Sequence, residues 1–178
     1  MKFTKNIFIL FSILTFVTSC DELDELTEID ITQDFSTTVN VVLEEDSEGE
    51  PVSITETSII DLASNQDIQD NLDAIEDVQI NSITYQINNY VGAEDIVVTN
   101  ASLNFDTTVI SVADINLLES DTNNTVYTIS DSAQLNAIAA YLEDNSSITV
   151  TLTGTISSTP ALFDVIISVD TTVTVDAG

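Results

Sequence analysis

The sequence has no histidine and no tryptophan, and its only basic residues, Lys2 and Lys5, stand within the first five positions. Beyond them no side-chain ion pair can form. The carboxylates must be met by backbone N–H groups, hydroxyls, amides, water or bound cations. Without histidine, a serine or cysteine nucleophile lacks its usual base. Without Lys or Arg, Schiff-base chemistry and guanidinium clamps lack their reagents. A nucleic-acid partner is excluded because nothing neutralises phosphates, and anionic lipid head groups are excluded as docking surfaces for the same reason. One cysteine and no histidine rule out the usual zinc ligand sets. Only four glycines occur, and none forms a phosphate-binding loop.

Acid is what the chain has in abundance. All 31 Asp and Glu lie after Cys20, so the formal charge goes from −29 to −31 once Lys2 and Lys5 are removed. Such charge marks disorder where apolar patterning is weak, but 43% of the residues are hydrophobic and their patterning is strong. Paired carboxylates of the kind used in glycoside hydrolysis are uninformative here, since among so many some pair always lies at a suitable separation. No enzyme is expected.

The N-terminus reads as an address. Lys2 and Lys5 precede an apolar run, Ile7 to Val17, broken only by Ser12 and Thr15, and then the small residues Thr18-Ser19. That order is a secretory signal, and the run is about half the ~20 residues a membrane-spanning helix needs. Cys20 has no cysteine partner in the chain; an ordinary cleavage near Ser19 with an incidental thiol is the plain alternative. Val17-Thr18-Ser19-Cys20 resembles the lipobox of bacterial lipoproteins. The resemblance implies cleavage before Cys20, a diacylglycerol thioether on its sulfur and acylation of the new amine, two acyl signals being what stable anchoring needs. The acidic residues that follow, Asp21, Glu22, Asp24 and Glu25, resemble the export signal of Bacteroidota-type surface lipoproteins. That resemblance implies an outer-membrane location facing the cell exterior.

The organisation expected is a signal peptide over 1–19, a lipidated Cys and acidic tether over 20–28, and one β-sandwich domain over 29–178. From Ile29 to Leu43 the odd positions are largely apolar, the period of a strand with one buried face, with a bend or break near Gln33-Asp34. Val52, Ile54 and Ile60 suggest a second strand. Ile68, Leu72 and Ile75 share a helical face over Ser64–Glu76, with Ser64 as cap. A phase slip at Asn81-Ser82 between Ile80 and Ile83 predicts a β-bulge. Further strands are expected around Ala101–Phe105, Thr108–Leu117, Thr125–Ile129 and Ile148–Ile156, the last interrupted by Gly154. Asp131 with Gln134 starts a second helix carrying Leu135, Ile138, Ala139 and Leu142. Phe163 to Val175 alternates like the first strand, so the two can pair. About eight strands and two short crossover helices make an antiparallel β-sandwich. Ile68, Leu72 and Ile75-Glu76-Asp77 overlay Leu135, Ala139 and Leu142-Glu143-Asp144 at an offset of 67, a faint internal duplication.

Two binding chemistries are consistent with this composition. Glu44, Glu45, Asp46, Glu48 and Glu50 crowd one turn without a compensating cation, a candidate weak calcium site, although the spacing is not that of an EF-hand and solvated carboxylates are the plain alternative. No cofactor is required. Glycan platforms usually present aromatics for stacking; Tyr85, Phe35, Phe105 and Phe163 fall in phase with the core, leaving Tyr90 and Tyr127 as exposed candidates. Asp106-Thr107-Thr108, Asp131-Ser132-Ala133 and Asp170-Thr171-Thr172 resemble O-glycan acceptors of such exported proteins, a pattern loose enough to recur by chance. The function expected is a non-catalytic envelope protein acting as a binding or structural module, with an envelope protein or glycan as partner. The alternative is an accessory glycan-binding component of an outer-membrane uptake system.

Overall fold

The computed structural model of the chain describes residues 28–44 and 50–176. Among these, nine strands and three helices follow in order: β1 (Glu28–Leu43), β2 (Val52–Asp61), α1 (Gln66–Gln69), β3 (Ile75–Gly92), β4 (Val97–Phe105), β5 (Thr108–Ser111), β6 (Ile115–Asn116), α2 (Leu117–Thr122), β7 (Val126–Ile129), α3 (Ser132–Asn145), β8 (Ser147–Ile156) and β9 (Ala161–Asp176). Two antiparallel sheets, β1-β9-β3-β7 and β2-β8-β4-β5 with β6 beside β4, form a sandwich.

The centre of the first sheet is β9. Its odd-numbered residues from Ala161 to Val175 are all buried, and most are β-branched, the side chains that pack best on a pleated surface. β1 pairs with it along its whole length, from Glu28 opposite Asp176 to Leu43 opposite Ala161, as their matching alternation predicted. The bend expected at Gln33-Asp34 does not occur. Thr171, fully buried at that level, donates its hydroxyl to the Gln33 carbonyl at 3.0 Å, which satisfies a polar group in the core.

Local chemistry sets the irregularities. The register shifts between Ile80 and Ser82, the bulge read from the phase slip. In the other sheet the β4–β8 register shifts between Thr99 and Ser102, where Asn100 takes a φ of 50° and Ala101 turns into the core. Gly154 faces that bulge. A β-carbon there would stand 3.2 Å from Val98 Cγ1 and 3.4 Å from Ala101 Cβ, so the in-phase position between buried Leu152 and Ile156 carries no side chain. Between the sheets, Tyr85, Leu103, Leu152 and Phe163 border a void of about 20 Å³. Its lining is made of apolar and aromatic side chains, and an apolar void stays dry. The gap is packing space.

The helices differ from expectation in two places. The helix predicted over Ser64–Glu76 is instead the single turn α1 between 3-10 turns at Leu62–Ser64 and Leu72–Ala74. Its cap is Asn65, not Ser64: Asn65 Oδ1 accepts the N–H groups of Asp67 and Ile68 at 2.9 and 3.2 Å. Ile75 and Glu76 belong to β3, where Ile75 pairs with Val175; the long ladder with β9 prevails over a weak local preference. The strand predicted over Thr108–Leu117 ends at Ser111, and Leu117 opens α2.

α3 starts where predicted. Asp131 Oδ1 accepts the N–H groups of Ala133 and Gln134 at 2.9 and 3.1 Å, and Leu135, Ile138, Ala139 and Leu142 are buried. Asp131→Ala removes the cap and is expected to cost about 1 kcal/mol, read as a lower urea midpoint. Asp131→Ser should restore most of it. An unchanged midpoint in Asp131→Ala would show that packing alone holds the helix.

The strand order has an internal symmetry. Exchanging β2 with β7, β3 with β8, β4 with β9 and β1 with β5 converts one sheet order into the other. The offset of 67 carries β4 onto residues 164–172, inside β9, but it sets Ile75-Glu76-Asp77 of β3 against Leu142-Glu143-Asp144 of α3, so the residues that carried the sequence match do not share a structure.

The two sheets differ in charge. Strands of the first carry Glu28, Asp30, Asp34, Glu76, Asp77, Asp164, Asp170 and Asp176. Strands of the second carry only Glu56 and Asp61. Asp61 accepts the Ala63 N–H at 2.9 Å, and Glu56 lies opposite Leu152, in phase with the core-facing side at the rim. Cross-strand rows of neutral residues remain on the outer face: Ser53–Thr155–Thr99, Thr55–Thr153–Ser102 and Thr57–Thr151–Asn104. All are exposed or half-exposed.

Candidate functional site

Cys20 and the acidic residues Asp21, Glu22, Asp24 and Glu25 lie outside the described residues, as do Glu45, Asp46 and Glu48 of the candidate calcium turn. Glu44 and Glu50, at the two ends of that turn, are exposed. No group of three or more His, Cys, Asp or Glu suited to hold a metal ion occurs among the described residues.

Carboxylates within the fold find the substitutes that composition demanded. Asp164 receives Asn40 Nδ2 at 2.6 Å and Asn89 Nδ2 at 2.8 Å. The hydrogen bonds from Asn89 and then Asn40 hold its carboxyl below the ordinary carboxylate range, against a small desolvation effect. Its stabilising contribution is therefore present above the unfolded carboxylate pKa and is lost as pH falls through the lowered one. Thr174 donates its hydroxyl to Asp30 at 2.8 Å, Asn81 its amide to Asp170 at 3.2 Å, and the Tyr90 backbone N–H reaches Asp121 at 3.3 Å.

The aromatic residues do not make a platform. Phe35, Phe105, Phe163 and Tyr85 are buried as expected. Tyr90, expected to be exposed, is 8% exposed. Its hydroxyl donates to the Ala93 carbonyl at 2.6 Å, and burial followed by the nearby Asp95 pushes its pKa up. The signal was Gly92: a β-carbon there would collide with the Tyr90 ring and hydroxyl, so glycine lets the ring fold over its own strand. Tyr127 is half-buried and stacks on Tyr85 with centroids 4.9 Å apart and planes 11° off parallel. Its hydroxyl lies 3.2 Å from Ser120 Oγ. Of the three acceptor-like tripeptides, Thr107 and Ser132 are exposed, whereas Thr171 is fully buried and out of reach of any modifying enzyme.

An open groove of about 500 Å³ runs between β3 and α3. The β3 bulge supplies Asp77, Gln79 and Asn81, and α3 supplies Asn136 and Glu143, with Val78, Ile80 and Ala139 also in the lining. The buried stripe of α3 brings the helix against β3, leaving amides and carboxylates on the rim. Three amides donate and accept, and two carboxylates accept, a combination suited to hydroxyl groups. Sequence reasoning missed this groove, because its residues come from two segments that only the fold adjoins. The chain matches no family model and none of the curated proteins.

Proposed function

We propose that this is a non-catalytic, lipid-anchored protein of the outer membrane that displays its sandwich to the cell exterior as a binding or structural module. The observation that carries this reading is the lone Cys20 behind Val17-Thr18-Ser19, with a folded β-strand beginning only eight residues later, at Glu28. A tether that short keeps the Glu28 end of the first sheet near the lipid. β1, at ~3.3 Å per residue, carries the Leu43 end roughly 50 Å away. Composition supports the non-catalytic part, since the bases and cations of common mechanisms are missing.

Cys20→Ala is expected to abolish acyl labelling and release the protein from membranes. Unchanged membrane partitioning of that variant would reject the anchor. Replacing Asp21, Glu22, Asp24 and Glu25 with Asn and Gln should leave lipidation intact and reduce antibody access on intact cells. A second reading, an accessory glycan-binding component of an uptake system, is favoured by the amide and carboxylate rim of the β3–α3 groove, which offers hydroxyl partners without aromatic stacking.

A further inference from the structure

We propose that the outer face of the second sheet is a docking plane for an uncharged polysaccharide; this deepens the binding-module reading and rests on it. In a chain with 31 acidic residues, the rows centred on Thr151, Thr153 and Thr155 contain none. Neighbouring strands stand about 4.8 Å apart and same-face residues about 6.7 Å apart along each strand. The face is thus a grid of hydroxyls and methyls three strands wide. Ser102 and Thr153 hydroxyls lie 2.8 Å apart, which fixes part of the grid.

Charge decides the class of occupant. A cationic partner is drawn to the carboxylates of the first sheet, and an acidic one is repelled by the molecule as a whole. A neutral polyol meets neither force and finds here a surface free of competing charge. Threonine suits it: the hydroxyl both donates and accepts, while the methyl packs against C–H groups of a sugar ring. The face has no cavity to enclose a single sugar, so the ligand is extended. Each hydroxyl contact is weak, and a repeating polymer engages several rows at once, which raises the retained fraction.

The test is co-sedimentation of the detergent-solubilised full chain with microcrystalline cellulose, insoluble β-1,3-glucan, mannan and starch granules. Thr55→Val, Thr57→Val and Thr151→Val together delete hydroxyls while keeping shape and strand preference. Thr32→Val, Thr38→Val and Thr84→Val do the same on the first sheet. The unmodified protein is expected to be retained by at least one polymer, with retention falling about tenfold or more in the first triple variant and little in the second. Retention on none of the four, or equal loss in both variants, overturns the proposal. So does a change of oligomeric state in the first triple variant without polymer, which would assign the face to a second copy of the chain. Any of these leaves acylation at Cys20 untouched, so failure of the docking plane is distinguishable from failure of the anchor. Release of soluble reducing ends would count against the non-catalytic reading alone.

Discussion

Phe163→Ala is expected to cost about 4 kcal/mol, the range for a buried phenylalanine in a packed core. The ring is 1% exposed, sits on the central strand β9 and touches the void shared by both sheets. Its removal enlarges a gap that neighbours from two sheets cannot close. For a domain of this size each kcal/mol shifts the melting temperature by about 2–4 °C, so a fall on the order of 10 °C is expected. Leu162→Ala, one residue away on the solvent side and 37% exposed, should stay within about 0.5 kcal/mol. Similar losses for both would mean that β9 is not the centre of a two-sided core.

Salt should stabilise the fold strongly. No basic side chain after Lys5 offsets the acidic ones, and Asp34 lies directly opposite Asp170 across the β1–β9 ladder. Like charges in register destabilise a sheet. Screening shortens from about 30 Å at 0.01 M salt to about 8 Å at 0.15 M, which removes repulsion between carboxylates farther apart than that, weakens it between facing pairs of the first sheet, and leaves the neutral second sheet little affected. The melting temperature should therefore rise by several degrees over that range. Asp34→Asn should raise stability at low salt by about 0.2–1 kcal/mol and flatten the salt response. A melting temperature independent of salt would show that the carboxylates are far enough apart to ignore one another.

Residues whose neighbours in sequence determine their state were legible beforehand. The alternation of β1 and β9 and the Asp131 cap of α3 are of this kind. So is the phase slip at Asn81, because a one-residue shift moves every later side chain to the other face. α2 was legible and was missed: Asn116 followed three residues later by Glu119 is a start signal, and Asn116 Oδ1 accepts the Glu119 N–H at 2.8 Å. The β-rich run before it drew Leu117 into a strand. Ser64 and Asn65 both suit a cap, and the turn after Asp61 selects between them. The β3–α3 groove and the hydroxyl grid are different in kind. Each joins residues from distant segments, so alternation in any one strand reveals threonines without revealing that three strands align them.

The pairing of β1 with β9 has a consequence for the order in which the molecule can be made. It closes spans from 118 residues, between Leu43 and Ala161, to 148, between Glu28 and Asp176. β3 also takes β9 as its longer partner. The first strand to emerge must therefore wait, with its edge unpaired, for nearly the last. Such distant pairing makes folding slow and leaves sticky strand edges exposed meanwhile. The same acidity that weakens the finished sheet keeps the waiting chains apart, because strands of like charge resist joining one another.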